Sequence, residues 1–253
     1  MQTNKLDPNQ ETILGINAAY EIIKTRPNSV KLLSVLENKS SKRIIDLIVL
    51  ANKSNIKILK ETKSYFANNY GEQNHQGIAV TCNVRSHEGE TYLDQLIEKS
   101  RVCLLILDHI TDPHNVGACI RSASAAGVDA IIVPKDRACH LTPTVRKISS
   151  GATELIPFIV VTNLSRTIKK ISSRGIKVMG ATIESNTNYL DADMTGSAAL
   201  VIGSEDKGLK SNIAKNCDIL ISINMPGKID SLNASVSSGI LLFEYLRQNN
   251  HAI

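Results

Sequence analysis

Three polar clusters interrupt the apolar parts of this chain, and each holds side chains of the kind that bind anions, orient hydroxyls or cap helices. The first runs Asp108-His109-Ile110-Thr111-Asp112-Pro113-His114-Asn115-Val116-Gly117 and leads towards Arg121. On a helix His114, Gly117, Arg121 and Ser124 fall on one face, at spacings of three, four and three. Small neighbours around Arg121 leave its guanidinium accessible to a bound anion; an ordinary surface arginine is the other reading. Asp112 before Pro113 predicts a helix start, with Asp as cap and Pro in the first turn. The second cluster, Gly203-Ser204-Glu205-Asp206-Lys207-Gly208-Leu209, directly follows an apolar run. Gly203 permits close backbone approach by a ligand and Gly208 a tight turn. An acid here is either a ligand contact or a charge at a helix start. The third cluster runs from Asn224 to Asn233 and is a long polar loop between an apolar strand and an apolar helix. Such loops inside compact domains are often functional. Ser231 or Asn233 is also a good helix cap.

These loops need a scaffold, and apolar spacing outlines one. Ile13, Ile16, Ala19, Ile22 and Ile23 fall on one helical face. Short apolar runs follow at 30–36 and 56–59, with a helix predicted over 43–53 between them and a strand over 77–82. A compact α/β module is expected over residues 1–84, a polar linker over 85–90, and a second module over 91–253. Residues 102–107 are six apolar residues in a row, the mark of a strand covered on both faces. Helices are then predicted over 92–99, 113–126, 142–149, 164–173 and 233–247. Strands are predicted over 130–133, 156–161, 176–181, 198–202 and 219–223. The alternation predicts an α/β fold with a mainly parallel sheet, whose ligands sit beyond the carboxyl ends of the strands.

Composition narrows the class. With 42% hydrophobic and 21% charged residues the chain is an ordinary globular protein rather than a disordered or fibrous one. No run approaches the roughly 18 apolar residues of a membrane span, and residues 1–10 lack the apolar stretch of a secretory signal; a cytoplasmic protein is expected. Cys82, Cys103, Cys119, Cys139 and Cys217 form no C-x-x-C pair, and their odd number excludes a complete disulfide framework. They read as small buried hydrophobes. The histidines do not combine with them at ligand spacing, so no metal is expected. G-x-G-x-x-G is absent, so a nicotinamide-type dinucleotide site is not supported. The net charge is +5, and residues 1–84 hold 11 Lys and Arg against 7 Asp and Glu. That excess either attracts a polyanion such as RNA or forms a solvated lysine-rich surface; charge alone does not choose.

Taken in order, DPHNVGACIRSASAAG, LVIGSEDKGL and INMPGKIDSLNASVSSG resemble the three motifs of the SpoU branch of the knotted RNA methyltransferases. KISSGATELIP also resembles a family segment, and GINAAYEII and HQGIAV resemble the family's substrate-binding domain. The resemblance spans essentially the whole chain. It implies a small amino-terminal L30e-like (ribosomal-protein-like) RNA substrate-binding domain. It further implies a carboxyl-terminal SPOUT catalytic domain with a parallel sheet and a deep trefoil knot, assembled as a homodimer. Local sequence rules would never suggest a knot, because knots are very rare. The implied activity is methyl transfer from S-adenosylmethionine to a guanosine 2′-hydroxyl of 23S ribosomal RNA. A transfer-RNA guanosine-2′-O-methyltransferase of the same family and a non-catalytic RNA-binding or ribosome-assembly protein are the alternatives.

By motif position Asn115, Arg121, Glu205, Ser231 and Asn233 take the family's catalytic and RNA-contacting places. Gly203, Ile223 and Leu232 take the places where the backbone meets the adenosine part of the cofactor. Asn224 departs from a frequent proline, and Ala181-Thr182 from a more usual Thr after Gly180. Methyl transfer from a sulfonium to a hydroxyl needs in-line alignment and removal of the hydroxyl proton, and no metal. Arginine is almost never deprotonated in proteins. Arg121 is therefore expected to grip the target phosphate and stabilise charge on the 2′-oxygen rather than act as base. Asn115, Glu205 and Ser231 are expected to orient the ribose and the arginine.

Overall fold

The computed structural model describes residues 7, 9–71, 73–204, 206–228 and 231–249. Contacts divide the chain into two units, Met1–Ser86 with Arg146–Leu155, and His87–Val145 with Ile156–Ile253. The first contains β1 (Gln10–Leu14), α1 (Ile16–Thr25), β2 (Val30–Leu36), α2 (Lys42–Lys53), β3 (Ile58–Glu61), α3 (Lys63–Tyr70) and β4 (Ile78–Asn83). Its sheet has the order β1-β4-β2-β3; β4 pairs antiparallel with both neighbours, and β2 with β3 is parallel. Helix α1 buries Ala18, Ala19, Ile22 and Ile23, and α2 buries Ile44, Leu47 and Ala51, in a common core with Leu33, Ile78 and Val80. Each large aliphatic side chain so buried contributes roughly 1.5–3 kcal/mol. Ile13, placed by spacing on the helical face, belongs instead to β1. The strand and the helix are separated at Gly15 (φ 104) yet feed the same core, so the periodicity runs across the break.

The segment Arg146–Leu155, read from sequence as part of the second module, is held in the first unit by charge. Arg146, 1% exposed, donates from a terminal nitrogen to the Arg85 carbonyl at 2.8 Å and lies 3.4 Å from Glu154 Oε1. Its Nε stands 2.9 Å from Glu11 Oε2, an ion pair rather than an aligned hydrogen bond. Arg26 donates to Glu154 at 2.7 Å and to the Asn83 carbonyl at 2.5 Å, and Arg85 donates to the Thr153 carbonyl at 2.6 Å. Burial pushes the Glu11 carboxyl above its usual range against the pull of Arg146, and lowers the Arg146 guanidinium. The stretch 85–90, expected as a linker, is tied at both ends, since Glu88 exchanges backbone hydrogen bonds with Phe158 and Val160 in the second unit.

The second unit contains α4 (Glu90–Leu96), β5 (Cys103–Asp108), α5 (Pro113–Ala125), β6 (Ala130–Pro134), the start of α6 (Pro143–Ile148), β7 (Phe158–Val161), α7 (Leu164–Ser173), β8 (Lys177–Ala181), β9 (Ala198–Gly203), α8 (Ser211–Ala214), β10 (Ile219–Ile221) and α9 (Ala234–Asn249). Its six strands are all parallel, in the order β10-β8-β9-β5-β6-β7. This is the expected α/β architecture. The central β5 is buried along its whole length, as its unbroken apolar run requires. Asp112 caps α5 by accepting from the His114 N–H at 2.9 Å, with Pro113 in the first turn. Burial pushes the thiols of Cys103 and Cys217 up to about 12 and that of Cys82 to about 11, as suits packed rather than reactive cysteines. No helix among the described residues is long and apolar enough to cross a membrane.

Candidate active site

Strands β10, β8 and β9 are neighbours and run the same way, so the loops leaving their carboxyl ends gather at one place. They enclose a cavity of about 410 Å³, within the roughly 300–1,000 Å³ of small-molecule sites. Thr182 and Glu184 come from the loop after β8, Gly203 from the end of β9, Ser204 and 206–209 from the loop after it, and Ile223, Met225, Ser231 and Leu232 from the loop after β10. The cavity thus collects Gly203, Ile223, Leu232 and Ser231 from residues far apart in sequence. Asn115, Arg121 and Asn233 do not line it, and Glu205 lies outside the described residues.

The loop after β9 is folded on itself. A Cβ on Gly203 would stand 2.1 Å from the carbonyl carbon of Gly208 and 2.3 Å from its oxygen. Gly208 has φ 59, and its N–H donates to the Ser204 carbonyl at 2.8 Å. The requirement for glycine at 203 therefore arises inside the loop, before any ligand is considered. Asp108, fully buried at the end of β5, fixes the loop's far end by accepting from the Lys210 N–H at 2.9 Å and also engages His109 Nδ1. Sequence reading gave Asp108 no role. Its signal was a charge closing an otherwise apolar strand.

Beside the cavity, α5 packs on α9. Asn115 is buried, and its Oδ1 accepts from Asn233 Nδ2 at 2.9 Å. Asn233 also caps α9, its Oδ1 accepting from the Ser235 N–H at 2.9 Å. One side chain thereby sets the start of α9, whose first-turn Ala234 and Ser237 line the cavity, and ties it to α5. Further along, Cys119 Sγ meets Ser238 Oγ at 3.3 Å, and Gly239 faces Ser122, so small residues let the helices approach. Arg121 is on the same helix as Asn115 but exposed, with no hydrogen bond or ion pair recorded among the described residues. Among those residues no three of His, Cys, Asp or Glu converge as metal ligands.

Residues 182–197 join neighbouring strands β8 and β9 without a helix. Thr182, Ser185 and Tyr189 bond to β10 and the residue after it, while Ala192, Met194 and Gly196 bond to Gln248, Asn249 and Tyr245 at the end of α9.

Residues 103–243, more than half of the chain, match the SpoU rRNA Methylase family. The chain belongs to this family. Residues 12–86 match the family described as RNA 2′-O ribose methyltransferase substrate binding. The 23S rRNA (guanosine-2′-O-)-methyltransferase RlmB of Pseudomonas syringae pv. tomato is 38% identical over 95% of this chain and 96% of its own length. The protein of the same name from Escherichia coli is 39% identical over 95% and 99%. Among solved structures, the SpoU methyltransferase AviRb from Streptomyces viridochromogenes in complex with AdoMet has a TM-score of 0.78 at 21% identity, covering 95% of this chain and 90% of its own. The segment Arg146–Leu155 falls inside the SpoU methylase match, although its contacts belong to the first unit.

Proposed function

We infer that this SpoU family member is an RNA 2′-O-ribose methyltransferase that uses S-adenosylmethionine and acts on a guanosine of 23S ribosomal RNA. The observation that carries the reading is similarity along nearly the full length, both units included, to proteins bearing that name. The cavity suits the cofactor. Ile202, Leu209, Ile223 and Leu232 offer apolar walls to an adenine ring, while Ser231 and the strand-end backbone offer polar partners to a ribose and an amino acid. When bound, S-adenosylmethionine carries a methyl group activated on a sulfonium.

The chain's own residues then divide the work. Gly203, Ile223 and Leu232 hold the cofactor, and Ser231 orients the incoming ribose at the cavity. Arg121, exposed and unpaired among the described residues, grips an RNA phosphate and stabilises negative charge on the 2′-oxygen. Asn115 and Asn233 act as positioning residues through their mutual bond, which fixes the loop entering α9. Glu205 keeps its role on motif position alone. The trefoil knot is supported by the path of 182–197, bonded to β10 on one side and to the end of α9 on the other. The homodimer is supported by an apolar stripe on α9, where Val236 and Phe243 are about half exposed with Ile240 between them. The first unit, matching the family's substrate-binding domain, is the RNA-recognition and L30e-like part. The setting is the cytoplasm, where ribosomal RNA is made.

The test is transfer of labelled methyl from S-adenosylmethionine by the purified protein to large-subunit RNA and, separately, to transfer RNA. The expected product after nuclease digestion is 2′-O-methylguanosine from the large-subunit RNA. Label in transfer RNA alone would redirect the assignment, and cofactor binding without label in either RNA would favour a non-catalytic protein.

A further inference from the structure

The first unit has a cavity of its own, about 340 Å³, between α1 and α2. Asn17, Tyr20 and Glu21 line it from α1, Arg43 and Asp46 from α2, and Ser150 from the 146–155 segment. Glu21 Oε2 is buried and has no hydrogen-bond partner among the described residues. A buried carboxylate oxygen without a donor is unfavourable, and such atoms in native proteins ask for an explanation. The stem of the Glu21 side chain is packed against the 146–155 segment. Gly151, at φ +93, is packed so closely that a Cβ there would stand 2.9 Å from Glu21 Cγ and 3.1 Å from its Cβ.

Charge narrows the ligand. Glu21 and Asp46 against one Arg43 make the lining net negative, within a module whose lysines and arginines outnumber its acids by 11 to 7. A phosphate is repelled there, whereas a neutral group rich in N–H donors is welcome. Arg43 in turn offers donors to an acceptor and disfavours a second guanidinium, and Tyr20 offers a ring face. Among the RNA bases guanine meets all three conditions. Its Watson–Crick edge presents N1–H and N2–H donors side by side, and its other edge presents the O6 and N7 acceptors that arginine reads. Unpaired bases in RNA are commonly splayed out, stacked on an aromatic ring and read on their edges.

We propose that this cavity takes an unstacked guanine base of the RNA substrate, with Glu21 accepting from N1–H and N2–H, Arg43 donating to O6 or N7, and Tyr20 stacking on the ring. The proposal rests on the RNA-methyltransferase reading above and adds a specificity pocket remote in sequence from the methyl-transfer motifs.

The experiment uses the full chain and single-stranded RNA decamers of A, C and U carrying one central guanosine, inosine or adenosine, with binding read by fluorescence anisotropy. Guanosine should bind about tenfold tighter than adenosine, the scale of one good bidentate base contact, and inosine, which lacks the N2 amine, should fall between. Glu21→Gln should erase that preference by weakening the guanosine decamer alone, and should be at least as stable to heat as the parent, because the buried Oε2 has no hydrogen bond to lose among the described residues. Arg43→Gln, at an exposed position, should halve the preference or more. On large-subunit RNA, Glu21→Gln should raise KM while leaving kcat and S-adenosylmethionine binding unchanged.

Equal binding of the guanosine and adenosine decamers by the parent, or a preference that survives Glu21→Gln, overturns the proposal. So does tight, Glu21-dependent binding of an arginine-rich peptide without base discrimination, which would make the cavity a protein-docking site. Methyl transfer measured in parallel separates the two readings. Activity without discrimination removes the pocket alone, whereas discrimination without activity on any RNA removes the enzyme reading alone.

Discussion

Replacing Arg146 by Met tests whether the buried charge network joins residues 146–155 to the first unit. Methionine keeps most of the volume, so the effect is electrostatic rather than a cavity. Without Arg146, Glu154 still has Arg26 at 2.7 Å and Arg85 at 3.5 Å, whereas Glu11 is left, among the described residues, with Arg26 at 3.8 Å and the backbone N–H of Arg85. Removing one partner of a buried pair costs roughly 3–5 kcal/mol; because Glu154 stays paired, the lower end, about 3 kcal/mol, is expected. The loss should depend on pH. Burial already raises the folded-state pKa of Glu11 above its ordinary 4.5, so the folded form holds that proton more tightly than the unfolded one. Its contribution favours folding below pH 4.5 and is lost as pH rises through the folded value. Loss of Arg146 raises that value further, so the variant should be more impaired at pH 8 than at pH 5. Glu11→Gln in the Arg146→Met background should restore about 1–2 kcal/mol. The chain has no tryptophan, so urea unfolding by circular dichroism is paired with hydrogen exchange of the β1 and β4 amides. A loss below about 1 kcal/mol, or one equal at both pH values and not relieved by Glu11→Gln, would refute the reasoning.

Gly203→Ala must open the 203–208 ring, at an overpacking cost of roughly 1–3 kcal/mol, and calorimetry should show S-adenosylmethionine affinity falling with it. Arg121→Ala should lower kcat by about 10²–10³, the scale for one charge-stabilising donor, with cofactor affinity in the same calorimetry unchanged. Asn233→Ala removes the α9 cap and the bond to Asn115, so thermal unfolding should report a loss of about 1–2 kcal/mol.

Much of the second unit was legible because its elements obey local rules. The unbroken run of β5, the Asp112-Pro113 start of α5 and the span of α7 need no information from elsewhere. Strand β1 and helices α3 and α8 were missed. Gln10–Leu14 shares the helical spacing of α1, and the other two are short and carry little apolar pattern. Positions in the site were legible as motifs, but not their relations. Nothing local shows that Asn115 meets Asn233 across 118 residues, or that Arg26 meets Glu154 across 128. The glycine at 203 was legible as a place of close approach, but nothing local shows that Gly208 is what a Cβ there would meet. The same limit hid the membership of residues 146–155, whose charges find partners only once β1 and β4 are formed.

The central claim, ribose methylation of a 23S guanosine, is tested most directly by mapping 2′-O-methyl groups along the ribosomal RNA of cells with and without this protein. One guanosine of the large-subunit RNA should lose its ribose methyl group completely when the protein is absent and regain it when the parent chain, but not Arg121→Ala, is supplied. An unchanged ribosomal RNA map, or a methyl group lost only from transfer RNA, would contradict it.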